Sequence, residues 1–220
     1  MDMYAVIDLE MCAVSRDKEK LCGLRNETIQ IGAVLLDGDY NMAGHFNSYV
    51  RPQYGTIDAY IRNLTGITRK DIADAPPFRE ALEAFLGWLP GEGLKIVSWS
   101  GHDEKQILSE MKKKCPGMDI GKIDGNWLDC QKLFSEKMGK TRAYQLQEAL
   151  IAADIDTEGR AHDGYYDAYN TALLFAKIRN DAEFALNPYY RAACEEGYHE
   201  SLSSNLGSIL SGIKEKLKAG

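Results

Sequence analysis

The sequence predicts an α/β fold, a mixed β-sheet with helices on its faces. Three features support it. An apolar run opens the chain, two further apolar segments meet at a turn, and beyond them short apolar strands alternate with segments of helical period. At 220 residues and 45% hydrophobic content the chain is long enough for one well-packed domain with a small appendage.

Tyr4-Ala5-Val6-Ile7 reads as a buried strand that runs into Asp8-Leu9-Glu10. A polar, charged loop is expected over residues 15–20 and a strand over 28–36. The turn at 37–40 carries Asp37-Gly38 between two apolar runs, a strong hairpin signal, and leads into a partly alternating strand over 44–50. Pro52 ends that strand. A short helix is expected over 57–64, followed by Thr65-Gly66-Ile67-Thr68. Beyond Pro76-Pro77, the residues Phe78, Leu82, Phe85 and Leu89 recur at helical spacing. Residues 94–99 form a short buried strand, 102–114 a helix, 127–129 a strand, and 143–153 and 164–179 two more helices. From Asp181 the composition changes, with Asn187-Pro188 and Gly197 punctuating two helical stretches. Residues 1–180 are thus expected to form the main domain and 181–220 a helical C-terminal extension that packs or forms a homo-oligomer.

Composition narrows the functional classes. No apolar run approaches membrane-spanning length, and the N-terminus lacks the basic segment and long apolar core of a secretion signal. Cys12, Cys22, Cys115, Cys130 and Cys194 are scattered without Cys-x-x-Cys spacing, which indicates neither a disulfide framework nor a zinc site and suits a reducing cytoplasm. A formal charge of −7 argues against coating long nucleic acid through a broad basic face, but not against gripping a chain end.

Asp8 and Glu10 are two apart, so on a strand they share a face at its carboxyl end. Side-by-side carboxylates repel each other, and a hard divalent cation such as Mg²⁺ or Mn²⁺ relieves that repulsion. Asp37-Gly38-Asp39 has the same spacing but belongs to a turn, whereas open α/β sheets place ligands at strand ends. Asp103 begins a helix just after a strand. It either complements the helix dipole or leans toward the end of a parallel neighbouring strand. His162 and Asp167 are five residues apart, about 140° around a single helix, so the histidine belongs on the loop before the helix and Asp167 one turn inside it. Gly159 and Gly164 flank that loop and permit movement. A lone histidine in a turn is usually inert, so its neighbours decide its role. Four carboxylates suit two divalent cations about 4 Å apart, the arrangement that supports in-line phosphoryl displacement. A histidine, which ordinarily titrates near pH 6.5, then serves as general base.

Asp8-Leu9-Glu10 stands first in a series of motifs. It is followed by Asn26-Glu27-Thr28-Ile29-Gln30-Ile31-Gly32-Ala33, Tyr49-Val50-Arg51-Pro52, Leu64-Thr65-Gly66-Ile67-Thr68, Asp103, and His162 with Asp167. In this order and spacing the first 180 or so residues resemble the DEDDh 3′–5′ exonucleases of the ribonuclease-H-like fold. Asp8-Leu9-Glu10-Met11-Cys12, the Val50-Arg51-Pro52 element and the Trp99-to-Asp103 spacing look most like the branch containing the histone-mRNA 3′ exonuclease and small-RNA-trimming exoribonucleases. The resemblance implies a mixed five-stranded sheet with helices on both faces and a catalytic set of Asp8, Glu10, Asp103, Asp167 and His162. The four acids would be ligands of two Mg²⁺ or Mn²⁺ ions and His162 the base. The main chain at Met11 and Cys12, together with Leu64, would hold the terminal nucleotide. The expected activity is release of nucleoside 5′-monophosphates from single-stranded 3′ ends, RNA before DNA. A proofreading or repair exodeoxyribonuclease, and a binding module that keeps the fold without turnover, are the alternatives. Gly101-His102 precede Asp103 where many relatives carry other residues, which leaves substrate choice open.

Overall fold

The computed structural model describes residues 2–180, 182 and 184–195. Its strands are β1 (Met3–Ala13), β2 (Asn26–Leu36), β3 (Met42–Tyr49), β4 (Leu94–Ser98) and β5 (Trp127–Asp129). They make one sheet in the order β3-β2-β1-β4-β5. β3, β2 and β1 pair antiparallel, while β1, β4 and β5 pair parallel, so the expected mixed five-stranded sheet is present. The decoy Asp37 is a turn residue: its carboxylate accepts the main-chain N–H groups of Asp39 and Asn41, each at 2.9 Å.

The helices are α1 (Arg16–Cys22), α2 (Ala59–Thr65), α3 (Phe78–Trp88), α4 (His102–Lys114), α5 (Cys130–Lys137), α6 (Leu146–Ala152), α7 (Gly164–Arg179) and α8 (Pro188–Glu195). Two of them correct the sequence-based reading. The expected loop over 15–20 is helix α1, which buries no residue and so carries no apolar stripe to read. It ends at Gly23, whose φ of 68° lets its N–H reach the Glu19 carbonyl. Helix α5 follows β5 without a break. The helix expected over 143–153 begins only at Leu146, because Gln145 is extended and Tyr144 is buried.

The chain divides into two compact units, Met1–Cys130 with Glu158–Ala172, and Gln131–Thr157 with Leu173–Gly220. The first holds the sheet. Ala5, Ile7 and Leu9 of β1 and Ile31 and Ala33 of β2 point to one face and pack against Phe78, Ala81, Leu82 and Phe85 of α3 and Ile107 of α4. The alternate residues, Asp8 and Glu10 among them, point to the other face. There the first turn of α7 lies on β2 and β3, with Tyr165 edge-on to His45. A buried charge network closes the far end of the β1–β2 pair. Lys114 reaches Glu27 and Glu110 at 2.5 Å each, and Glu27 also accepts main-chain N–H groups from Gln53, Tyr54 and Gly55.

In the second unit buried Glu148 accepts bonds from Arg142 and from the Tyr190 hydroxyl at 3.0 Å, and the Asn187 N–H bonds the Ala152 carbonyl at 2.9 Å. These bonds tie α8 to α6. The rest of the expected extension, residues 196–220, lies outside the described residues, and with it the expected second helical stretch and most of the surface expected to support homo-oligomers. Cys12, Cys22, Cys115 and Cys130 are free thiols, and no helix among the described residues is long and apolar enough to cross a membrane.

Candidate active site

Asp8 and Glu10 stand opposite Gly32 and Gln30 in the β1–β2 register, and the pairing shifts by a bulge immediately after Glu10. The bulge re-aims the strand where the expected site begins. From the other side of β1, β4 ends at Ser98 and α4 starts four residues later, bringing Asp103 to β1. Its Oδ1 accepts the Leu9 N–H at 3.1 Å, between the two acids. Of the two readings open for Asp103, the lean toward the neighbouring strand end is the one observed. Asp167 sits one turn inside α7, and its Oδ2 accepts the His162 N–H at 2.9 Å. His162 is on the preceding loop with φ of 61°, a left-handed conformation that non-glycine residues adopt at some cost and that is common at functional sites. Ligand atoms of Glu10, His162 and Asp167 all lie within 4.8 Å of one another.

Helix α7 can bring Asp167 here because two glycines meet. A β-carbon on Gly32 would stand 2.1 Å from the Gly164 carbonyl carbon, and one on Gly164 would stand 3.1 Å from the Asp8 carbonyl oxygen. Gln30 locks this contact: its Oε1 accepts the Gly164 N–H at 3.0 Å, and its Nε2 donates to Asp163 and Asn47. Gly32→Ala must push the start of α7 off the sheet. Overpacking of this kind should lower stability by about 1–3 kcal/mol and lower activity with it, measurable by denaturant unfolding and by turnover.

The electrostatics of the four carboxyls are unusual. Burial pushes the Asp8 carboxyl well above its ordinary range, and the charges of Asp103, Asp167 and Glu10 push it further. Glu10 rises to about 8, by burial first and then by Asp167, Asp163 and Asp103, with Arg160 opposing. Asp103 rises to about 7 through burial, partly offset by the Leu9 N–H, and Asp167 is raised by burial against its bond from His162. Buried carboxyls this close hold their protons because each would ionise against the charge of the others. The donor set, buried carboxylate oxygens beside one imidazole, fits hard divalent cations.

The sign of the resulting pH dependence follows. Between the ordinary carboxylate range and about pH 8 the metal-free folded protein holds more protons than the unfolded chain, so its stability falls as pH rises through that window. Divalent cations displace those protons and bind more tightly as pH rises. Thermal unfolding in EDTA should therefore show a lower midpoint at pH 8 than at pH 6, and added Mn²⁺ should raise the midpoint more at pH 8. An equal Mn²⁺ effect at both values would contradict this.

Of the remaining expected contacts, Met11 is partly buried, and the Cys12 side chain is buried among Ile29, Ile57, Ile61, Ile67 and Ile72, leaving only its main chain for a ligand. The Leu64 carbonyl accepts a bond from Arg160. Gln30, Asp163 and Arg160 were missed by the sequence reading. Gln30 had a legible signal, a polar residue inside an apolar strand, and Asp163 lies within the His162–Asp167 motif.

The fold and the site together define a class, and the comparisons agree. A family model described as "Exonuclease" (RNase_T) matches residues 5–175. The chain belongs to this exonuclease family. It is 32% identical over 181 residues to ERI1 exoribonuclease 2 of Danio rerio, covering 70% of this chain and 32% of that protein. To the 3′-5′ exonuclease Snipper of Drosophila melanogaster it is 27% identical over 190 residues, covering 74% of this chain and 66% of that protein. The chain thus spans about a third and about two thirds of these relatives. Among solved structures, the nuclease domain of 3′hExo, a DEDDh family member bound to rAMP, superposes with a TM-score of 0.69 at 21% identity, covering 84% of this chain and 96% of that one. Cell-death related nuclease 4 superposes with a TM-score of 0.67 at 23% identity, covering 85% and 67%. At these identities the superpositions establish the ribonuclease-H-like fold.

Proposed function

We propose that this chain is a metal-dependent 3′–5′ exonuclease that releases nucleoside 5′-monophosphates from single-stranded 3′ ends, RNA in preference to DNA. One observation carries the reading: carboxyls from two positions on one face of β1, the start of α4 and the start of α7 converge with their protons held on by burial and mutual repulsion, beside the loop-borne His162. Asp8, Glu10, Asp103 and Asp167 would hold two divalent ions, Mg²⁺ or Mn²⁺. When bound, such ions polarise the attacking water and neutralise charge at the phosphate and the departing 3′ oxygen. A ring nitrogen of His162 accepts the proton of that water. The main chain at Met11 and Cys12, with Leu64, seats the terminal nucleotide. The preference for RNA is supported by the relative named as an exoribonuclease. Residues 1–180 are assigned as the exonuclease domain and 181–220 as its extension.

The test is an assay on matched 5′-labelled RNA and DNA oligonucleotides with Mg²⁺ or Mn²⁺. Stepwise shortening from the 3′ end with 5′-monophosphates as product, absent in EDTA and faster on RNA, is the expected result. Faster shortening of DNA would favour the exodeoxyribonuclease alternative. Retention of the oligonucleotide without shortening would favour a binding module.

A further inference from the structure

The loop over residues 158–162 is clamped at three points. At its start, Asn170 of α7 brackets Glu158, accepting its N–H at 2.9 Å and donating to its carbonyl at 3.0 Å. At its end the His162 N–H is held by Asp167. Both clamps come from α7, a few residues along the same chain segment. The middle clamp is different. Arg160 Nη2 donates to the Asn63 carbonyl at 2.6 Å and the Leu64 carbonyl at 3.2 Å, almost a hundred residues away in sequence.

These are carbonyls of the last turn of α2, which the helix itself leaves without partners. Gly66 satisfies another, through its N–H to the Arg62 carbonyl. The guanidinium completes the cap from outside, where a cation also complements the helix dipole. Its Nη1 end abuts Gly66: a β-carbon there would stand 2.2 Å from Arg160 Nη1 and 3.1 Å from its Cζ, and Gly66 has φ of 81°. Glycine is thus favoured at 66 by backbone conformation, and a side chain there would move the arginine end aside.

We propose that Arg160 is a positioning residue that clasps the Leu64–Thr65–Gly66 turn to the His162 loop, so that seating the terminal nucleotide and placing the base are a single event. The proposal rests on the exonuclease reading, and within it on Leu64 as a nucleotide contact. One residue, Ala161, separates Arg160 from His162, and the two acceptors of Arg160 include Leu64 itself. A nucleotide pressing on Leu64 therefore bears on a turn bonded to the loop that carries the histidine. Lysine cannot reproduce the link, because both bonds leave Nη2, which stands one covalent bond further from the main chain than a lysine ammonium and is held in a planar, pre-organised group.

The experiment uses the full chain with Mn²⁺ and a short 5′-labelled oligoribonucleotide, and it measures kcat and KM from pH 6 to 9 together with the Kd for adenosine 5′-monophosphate. For Arg160→Ala we expect KM and the adenosine 5′-monophosphate Kd to rise and kcat to fall, each by about tenfold, since displacing a reacting group by a fraction of an ångström costs that order. The thermal midpoint should stay close to wild type. Arg160→Lys should recover less than half of either loss, and Gly66→Ala, which displaces the guanidinium with Arg160 intact, should reproduce the changes in KM, Kd and kcat while also lowering the thermal midpoint, because position 66 has φ of 81°. Combined with Leu64→Ala, Arg160→Ala should add less than about twofold to the Kd, because both act through one contact. The clasp is overturned if Arg160→Ala leaves Kd, KM and kcat unchanged, or if its effects and those of Leu64→Ala multiply. Failure of the wild-type chain to release mononucleotides would overturn the exonuclease reading itself, a separate outcome.

Discussion

Asp8→Asn and Asp167→Asn are each expected to reduce mononucleotide release by at least about 10³-fold, while Asp8→Asn makes the metal-free protein more stable. Asparagine keeps the shape of the side chain and removes the charge. The activity loss follows from the placement of the two acids: Asp8 stands at the centre of the cluster, and Asp167 is the carboxylate that both faces Glu10 and holds the His162 loop. The gain in stability follows from the same crowding. The charges on Asp103, Asp167 and Glu10 all push the Asp8 carboxyl toward its protonated form, so ionising it costs the fold free energy that an amide does not. In EDTA at pH 8 the Asp8→Asn midpoint should exceed that of wild type, and the rise produced by Mn²⁺ should shrink or vanish. Turnover near the wild-type rate in either variant would rule out its role as ligand.

His162→Ala is expected to lower turnover by about 10²–10⁴-fold at neutral pH, the range of a lost general base, with the Mn²⁺-induced rise in midpoint largely kept. This second expectation separates two roles that the geometry leaves close together, because the His162 ring lies within 4.8 Å of carboxylate oxygens of Glu10 and Asp167. A ligand would take the metal-induced shift with it; a base would not. Since position 162 has φ of 61°, a companion variant should tolerate the left-handed region, and His162→Asn does so more readily than alanine. Equal loss in both variants assigns the effect to the imidazole rather than to a disturbed loop. Full activity in both would mean that another group takes the proton.

The sheet was legible because its strands are apolar and bounded by turn signals, and α3, α4 and α7 because their apolar residues recur at helical period or run between clear boundaries. Helix α1 was not legible, since it buries nothing and its residues read as a charged loop. The five candidate site residues were legible as chemistry in a pattern. Asp8 and Glu10 could be paired from spacing alone, because a strand fixes the relation of residues two apart. Arg160 could not be read at all. One arginine among several in the chain, it gains meaning only from carbonyls that lie at the end of a helix distant in sequence.

By itself, the sequence determined which residue types stand at strand ends and helix starts, and therefore that a cluster of acids with one histidine was available. Local periodicity is enough for that. Only the tertiary structure decided that Asp103 crosses to the main chain of β1 at Leu9, that Gly32 and Gly164 let α7 come close enough to deliver Asp167, and that Arg160 ties the histidine loop to α2. Each of these depends on the distance between segments far apart in the chain. That distance is set by how closely backbones can pack, here by two missing β-carbons, and no local pattern encodes it.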